Sequence, residues 1–285
     1  MRRALPWIAP FLAGFALFLL LPIGMSLVYA LSDYALIEPP VHVGLANFRR
    51  MLDDPLVRVS VRNTLLYAAG SVALTTAASV ALAVLLEQRV PGRGVVRAVV
   101  FVPTLIPVVA ASLAWGWIYN PRGGLLNSAL RGVGIEGPDW LGDPAWALGS
   151  LVFMSVWTVG TPMVVCTAAL REIPASLREA AMLDGLSAPQ RFRHITLPMI
   201  SPAVLFNAVV SLVWSLQVFA QPQIMTRGGP DNATLVYSLY VFRCAFEYGE
   251  MGYASALAWV QCVATFALTL AVVAAARRFV HYRGA

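Results

Sequence analysis

Asn207, Ser211, Trp214, Ser215 and Val218 recur at i, i+4, i+7, i+8 and i+11 within one apolar run. On an α-helix that spacing forms a single stripe. An amide, two hydroxyls and an indole can stack on a solute and hydrogen-bond to it. They supply no acid–base pair and no metal site, so the chemistry on offer is recognition rather than bond breaking. Gln217 and Gln221 add further amides nearby. Two readings stay open at this point. Such residues can line a polar pathway, or they can join neighbouring helices as polar glue.

Catalytic chemistry finds little support elsewhere. The three histidines (His42, His194, His281) lie far apart, and no cysteine–histidine spacing suggests zinc. Cys166 and Cys262 fall in apolar runs and Cys244 in a loop, which reads as three free thiols. Asp53-Asp54 is the only adjacent acidic pair and reads as a solvated loop. All 20 basic residues are arginine. A phosphate-binding G-x-x-x-x-G-K-[ST] loop needs a lysine, so this chain contains none and any ATP hydrolysis falls to another subunit.

The elements that hold the stripe follow from composition. The chain has 285 residues, 59% hydrophobic and 12% charged, about half the charge of a soluble domain. Six runs are long enough to cross a bilayer as helices: about 8–31, 64–86, 98–119, 146–170, 199–221 and 255–276. The first follows Met1-Arg2-Arg3, but it is too long for a signal-peptide core and lacks a small-residue cleavage site, so it reads as a retained span. Pro103 and Pro107 in the third run and Pro162 in the fourth are expected to kink their helices.

Charge sets the orientation. With the N-terminus in the cytoplasm, Arg2, Arg3, Arg89, Arg93, Arg97, Arg171, Arg178, Arg191, Arg193, Arg277, Arg278 and Arg283 fall inside with Glu87, Glu172, Glu179 and Asp184, giving +8 inside and −2 outside. Both termini are therefore expected in the cytoplasm. Trp115, Trp117, Tyr119, Trp140 and Trp146 gather at one membrane face, as an interfacial belt does. The basic balance is thus topology and not a nucleic-acid footprint.

This topology places the stretch EAAMLDGLSAPQRFRHITLP (179–198) in the cytoplasm, between the fourth and fifth spans. Twenty residues are far more than a connector needs. Ser176-Leu177-Arg178-Glu179 has the form of a capping box, and Leu177–Leu183 reads as two helical turns. Gly185 stands where a helix end takes a left-handed residue. Ser187-Ala188-Pro189-Gln190 is a second box opening a short helix to about Thr196, and Pro198 marks entry to the next span. An amphipathic hairpin floating at the headgroups is one reading. The small residues Ala180, Ala181 and Gly185, which let another backbone come close, favour a docking element for a cytoplasmic partner.

The pattern Glu179-Ala180-Ala181-x-x-Asp184-Gly185, followed by Phe192, Ile195, Leu197 and Pro198, resembles the EAA loop of ABC-importer permeases. Leu186 departs from the small residue usual after the glycine. Gly228-Gly229-Pro230, TLVYSLYVF (234–242) and Gly252-Tyr253-Ala254-Ser255-Ala256 are similar to the carbohydrate-uptake (MalF- or UgpA-like) branch. The resemblance covers essentially the whole chain. It implies an all-α membrane protein of six transmembrane helices with the type I importer (MetI-like) fold: residues 1–285 as one transmembrane domain, 171–197 as the cytoplasmic coupling loop and 222–254 as an external loop. It further implies a prokaryotic inner-membrane location and a non-catalytic permease subunit forming half of a sugar pathway. The partners would be a second homologous permease, two ATPase subunits that carry ATP and Mg, and an external solute-binding protein. No cofactor would sit on this chain. Glu179, Ala180, Ala181, Asp184 and Gly185 would couple to the ATPase. Ser211, Trp214, Ser215 and Val218, with Asn207 and Gln217 on the same span and Trp157, Gly160 and Thr161 on the fourth, would line the pathway. An aromatic face with scattered hydroxyls and amides suits a neutral polyol, and no charged residue lies deep in these spans.

Two other classes fit less well. A self-contained secondary transporter of a polar solute usually shows internal repeats and an ionisable relay in the membrane; here Asp and Glu keep to loops and ends. A membrane enzyme needs a catalytic constellation, and none is visible.

Overall fold

A computed structural model describes residues 5–88 and 91–276. Arg2, Arg3, Arg89, Arg277, Arg278, Arg283 and His281 lie outside the described residues, as does the side chain of Arg178, so that part of the charge count has no structural counterpart. Four helices are long and apolar enough to cross a membrane: Trp7–Ala30, Pro55–Glu87, Ala188–Leu216 and Met251–Ala276. Two bent pairs raise the count to as many as six. Each falls on an apolar run expected from the sequence. A two-stranded hairpin pairing Ser32 with His42 and Asp33 with Val41 is a small departure from all-α.

The third run is not one rod. Arg93–Leu105 and Val108–Ile118 meet at 106°. Pro103 sits in the tight turn Val102–Leu105, and Pro107 begins the second half in an extended conformation. Neither proline has an N–H to carry the helical ladder onward, and the residue before a proline avoids the helical region. In the fourth run Pro144–Thr158 and Gly160–Arg171 meet at 50°. That bend falls at Val159, ahead of Pro162, which occupies the first turn of the second half, where its missing N–H costs nothing.

The chain divides into two compact units. The first combines residues up to Val59 with Tyr237–Ala264. In it the last long helix packs against the first: Trp259 donates its indole N–H to Ser26 at 3.2 Å. The Gly252 amide bonds Tyr34 at 3.0 Å, at a point where a Cβ would strike the Ser32 carbonyl.

The second unit holds Ser60–Val236 and residues from Thr265 on. Its apolar core joins Val80, Ala83 and Leu86 to Met163, Cys166, Leu170 and Ile200. A separate cluster gathers four of the five rings expected at one membrane face. Trp115 stacks near Tyr119 at 5.2 Å, Tyr119 near Trp140 at 6.1 Å and Trp140 near Trp146 at 5.4 Å. Tyr119 is buried and bonds the Ser150 carbonyl, and the Trp140 N–H bonds Asn127, so these rings pack on one another. Trp117 is 63% exposed and has no aromatic partner among the described residues.

Candidate functional site

The helix of the interruption spans Ala175–Leu183, starting just after Pro174. The box expected at Ser176–Glu179 does not form, because Pro174 starts the helix early and puts Ser176 inside its first turn. The C-terminal end is as expected. Gly185 has φ +76°, its amide bonds Met182 at 3.1 Å, and the Leu186 amide reaches back to Ala181 at 3.1 Å. These two bonds are a Schellman motif, and they make Leu186 the residue that closes the helix. The second box does form: the Ser187 amide donates to Gln190 Oε1 at 2.8 Å.

The second short helix does not stop at Thr196. A π turn, Phe192–Thr196, carries it into Leu197–Leu216, so one helical run of 29 residues links the turn to the membrane. Glu179, Ala180, Asp184 and Gly185 are exposed, and so are the apolar Leu177 and Met182. Only Ala181 of the quintet turns inward, at 3% exposure. An ion pair between Arg171 and Glu87 at 3.2 Å ties the base of the segment to the 55–87 helix. A hollow of about 310 Å³, lined by Glu87, Gln88, Leu170, Met182, Arg191 and Ile195, lies under the helix.

The expected pathway residues differ widely in exposure. Asn207 is 5% exposed; its amide donates to the Pro162 carbonyl at 2.9 Å and to Cys166 Sγ at 3.3 Å. Ser215 and Val218 are buried and Ser211 is half-buried. The helix ends at Leu216, so Val218 lies past it, and Gln217 caps it with φ −108°. Trp214 is 75% exposed and shares its face with the exposed Phe206, Val210 and Gln217. Each residue turns an α-helix by about 100°, which sets Trp214 roughly that far around from Ser215. Asn207 and Trp214, seven residues apart, lie within about 20° of each other around the helix, so their different exposure follows position along it. On the fourth run Thr161 is exposed, while Trp157 packs edge-on against Trp115 at 5.7 Å. Gly160 is buried where a Cβ would lie 2.6 Å from the Val100 carbonyl, so it is a close-approach position.

Residues 222–254 carry short helices: Ala220–Met225, Tyr237–Phe242 and the π turn Arg243–Glu247, with Cys244 buried in the last. Tyr237 and Tyr240 are buried, while Phe246, Asp231 and Glu247 are exposed. The turn between is held by Asn63, whose amide donates to Asn232 O at 2.8 Å and Leu235 O at 3.1 Å.

A cluster that sequence reasoning missed centres on Asp54, which is not a solvated loop residue. Its Oδ2 accepts the hydroxyls of Tyr240 and Tyr253, the latter at 2.7 Å, and its Oδ1 caps the 55–87 helix through the Leu56 amide at 2.8 Å. Burial pushes its pKa up, but the bonds from Tyr240, Tyr253, Leu56 and Val57 outweigh that and hold it below the ordinary carboxylate value. Burial and the bond to Asp54 push Tyr240 far up. Alongside, Arg50 pairs with Glu250 at 2.8 Å and lies 4.2 Å over the Tyr253 ring. The signal available in sequence was Asp54-Pro55, a helix-capping residue before a first-turn proline.

Residues 75–282 match the family described as the binding-protein-dependent transport system inner membrane component. A probable ABC transporter permease of Bacillus subtilis, YesP, is 36% identical, covering 97% of this chain and 91% of its own. The diacetylchitobiose uptake permease NgcF of Streptomyces coelicolor is 35% identical over 89% and 76%. The trehalose/maltose permease MalF of Thermococcus litoralis is 34% identical over 92% and 88%. In fold, the chain matches a bacterial ABC transporter that imports the acidic polysaccharide alginate, with TM-score 0.84, 23% identity and 98% of each chain covered. The same transporter in complex with an alginate pentasaccharide-bound periplasmic protein matches with TM-score 0.82, 22% identity and 96% and 93% coverage. A helical chain with a capped, protruding turn ahead of a long apolar helix, aligned over nearly its full length with these permeases, belongs to the family of binding-protein-dependent inner membrane components, the permease subunits of ABC importers.

Proposed function

We propose that this chain crosses the membrane six times with both termini in the cytoplasm and forms half of the pathway for a sugar beside a homologous permease. Residues 171–197 dock on a separate ATPase, which holds ATP and Mg, and an external binding protein delivers the solute. The observation that carries this reading is the coupling segment. Its Schellman turn and its second capping box fix a rigid shape, while Glu179, Ala180, Asp184 and Gly185 stay exposed. A surface held this firmly and left uncovered suits a partner. The sugar class is supported by the relatives, whose names give diacetylchitobiose and trehalose or maltose, and by the exposed indole of Trp214. Of the nine expected pathway residues, Trp214, Gln217 and Thr161 are the ones free to meet a solute.

Co-purification of the reconstituted complex, followed by sugar uptake into vesicles, tests both parts. Gly185→Asp is expected to insert in the membrane and fail to retain the ATPase. Trp214→Ala is expected to retain every subunit and lose transport by about tenfold, the equivalent of one stacking contact. Normal uptake by either variant counts against the corresponding part.

A further inference from the structure

The 188–216 helix runs from the coupling turn through most of the fifth apolar run with no non-helical break, though it contains the π turn and Pro202. Its contacts with the rest of its unit are largely apolar: Ile200 lies with Val80, Ala83, Met163 and Leu170, and Met199 and Val204 pack beside them. Apolar contacts have no preferred direction, so such a surface permits sliding and rocking. A hydrogen bond weakens steeply as its angle and length change, and in the bilayer core no water replaces it. Asn207 supplies such a contact. Its amide reaches the Pro162 carbonyl and Cys166 Sγ on the 160–171 helix, and Cys166 in turn lies 3.9 Å from Ser79 Oγ on the 55–87 helix. All three side chains are buried. Three helices are thereby pinned at one depth.

We infer that Asn207 is the pivot of a lever, a positioning residue rather than a solute contact. Below it, Ala188 to Asn207 is an arm of about 29 Å; above it, Asn207 to Leu216 is an arm of about 14 Å. A displacement of the coupling end therefore emerges reversed, reduced to about a third at Trp214 and about half at Gln217. The helix ends just beyond, where Gln217 and Phe219 leave helical geometry, so the upper arm moves without dragging the following segment as a rigid body. The inference rests on the proposal that the coupling segment docks on the ATPase.

The test uses the whole importer, with ATPase and binding-protein partners, in two states: nucleotide-free and trapped with ATP and vanadate. Spin labels go on Thr161→Cys and Gln217→Cys, both exposed, with the exposed Cys262→Ser removed from the background. The pair is expected to change separation between the two states. In Asn207→Leu vanadate still traps nucleotide, and the change in separation is lost. If Asn207→Leu does not assemble, Asn207→Ser, too short to reach Pro162 O, carries the same expectation. Cys166→Ala leaves the bond to Pro162 O in place and retains the change. A change that survives in Asn207→Leu or Asn207→Ser overturns the pivot, and so does an importer that shows no change with Asn207 intact. Gly185→Asp separates the two ideas: if it still assembles and shows the full change, the docking proposal is what fails.

Discussion

The coupling segment and the Asp54 cluster are both polar interruptions next to long apolar helices, and they are built in opposite ways. Around Asp54 the carboxylate, two phenols and a helix amide bond one another, with Arg50 and Glu250 paired alongside. In the coupling segment the backbone bonds close the turn on itself, and Glu179, Ala180, Asp184 and Gly185 stay exposed. The first region is complete within its unit. The second has a finished backbone and an unfinished surface. The difference predicts that changes at Asp54 act on stability and changes at Glu179 act on association.

The largest effect is expected at Asp54. Asp54→Ala strands two buried hydroxyls, Tyr240 at 4% and Tyr253 at 2% exposure, and a stranded buried group costs about 1–3 kcal/mol. Thermal unfolding of the purified permease complex is expected to show a loss of about 3 kcal/mol, with ATPase retention unchanged. Because the folded pKa of Asp54 lies below its unfolded value, its stabilisation is present above the unfolded pKa and fades as pH falls through the folded one. The gap between the parent and Asp54→Asn is therefore expected to stay level above about pH 5 and to close below about pH 4. A gap that widens in acid contradicts the cluster's charge state.

Glu179→Ala is the mirror experiment. Unfolding is expected to be unchanged, while ATP hydrolysis stimulated by binding protein falls about tenfold, the equivalent of ~1.4 kcal/mol of lost coupling. An unfolding loss as large as that of Asp54→Ala erases the contrast. Gln190→Ala removes the second box and is expected to cost about 1 kcal/mol in local stability, read as faster amide exchange over 187–191. The smallest effect belongs to Glu250→Gln. Arg50 and Glu250 keep half and over a third of their side chains exposed, and such a pair contributes less than about 1 kcal/mol. High salt is expected to remove even that difference.

What was legible in the sequence was what is local. Gly185 and the Ser187–Gln190 box are decided by residues within five positions, and both stand as expected. The apolar runs were visible because lipid demands about 20 of them in a row. Asp54 was misread because its phenol partners lie 186 and 199 residues away. For the stripe on the 188–216 helix, period gives the angle between residues, while the burial of Asn207 depends on Pro162 and Cys166 of another helix. The prolines of the third run announced a kink, but its 106° angle is set by neighbours such as Gly160, which admits the Val100 carbonyl.

The π turn at Phe192–Thr196 has a consequence for phase. It is closed by the Leu197 amide reaching Phe192 O, one residue further than an α-helix allows. One extra residue in a turn offsets everything before it by about 100° relative to everything after. The orientation of Ser187–Arg191 toward a partner and the orientation of Asn207 toward its neighbours are therefore independent settings, joined like the two scales of a vernier. Deleting a single residue within 192–196 restores a plain ladder, keeps the membrane helix in place, and turns the coupling end to face a different way.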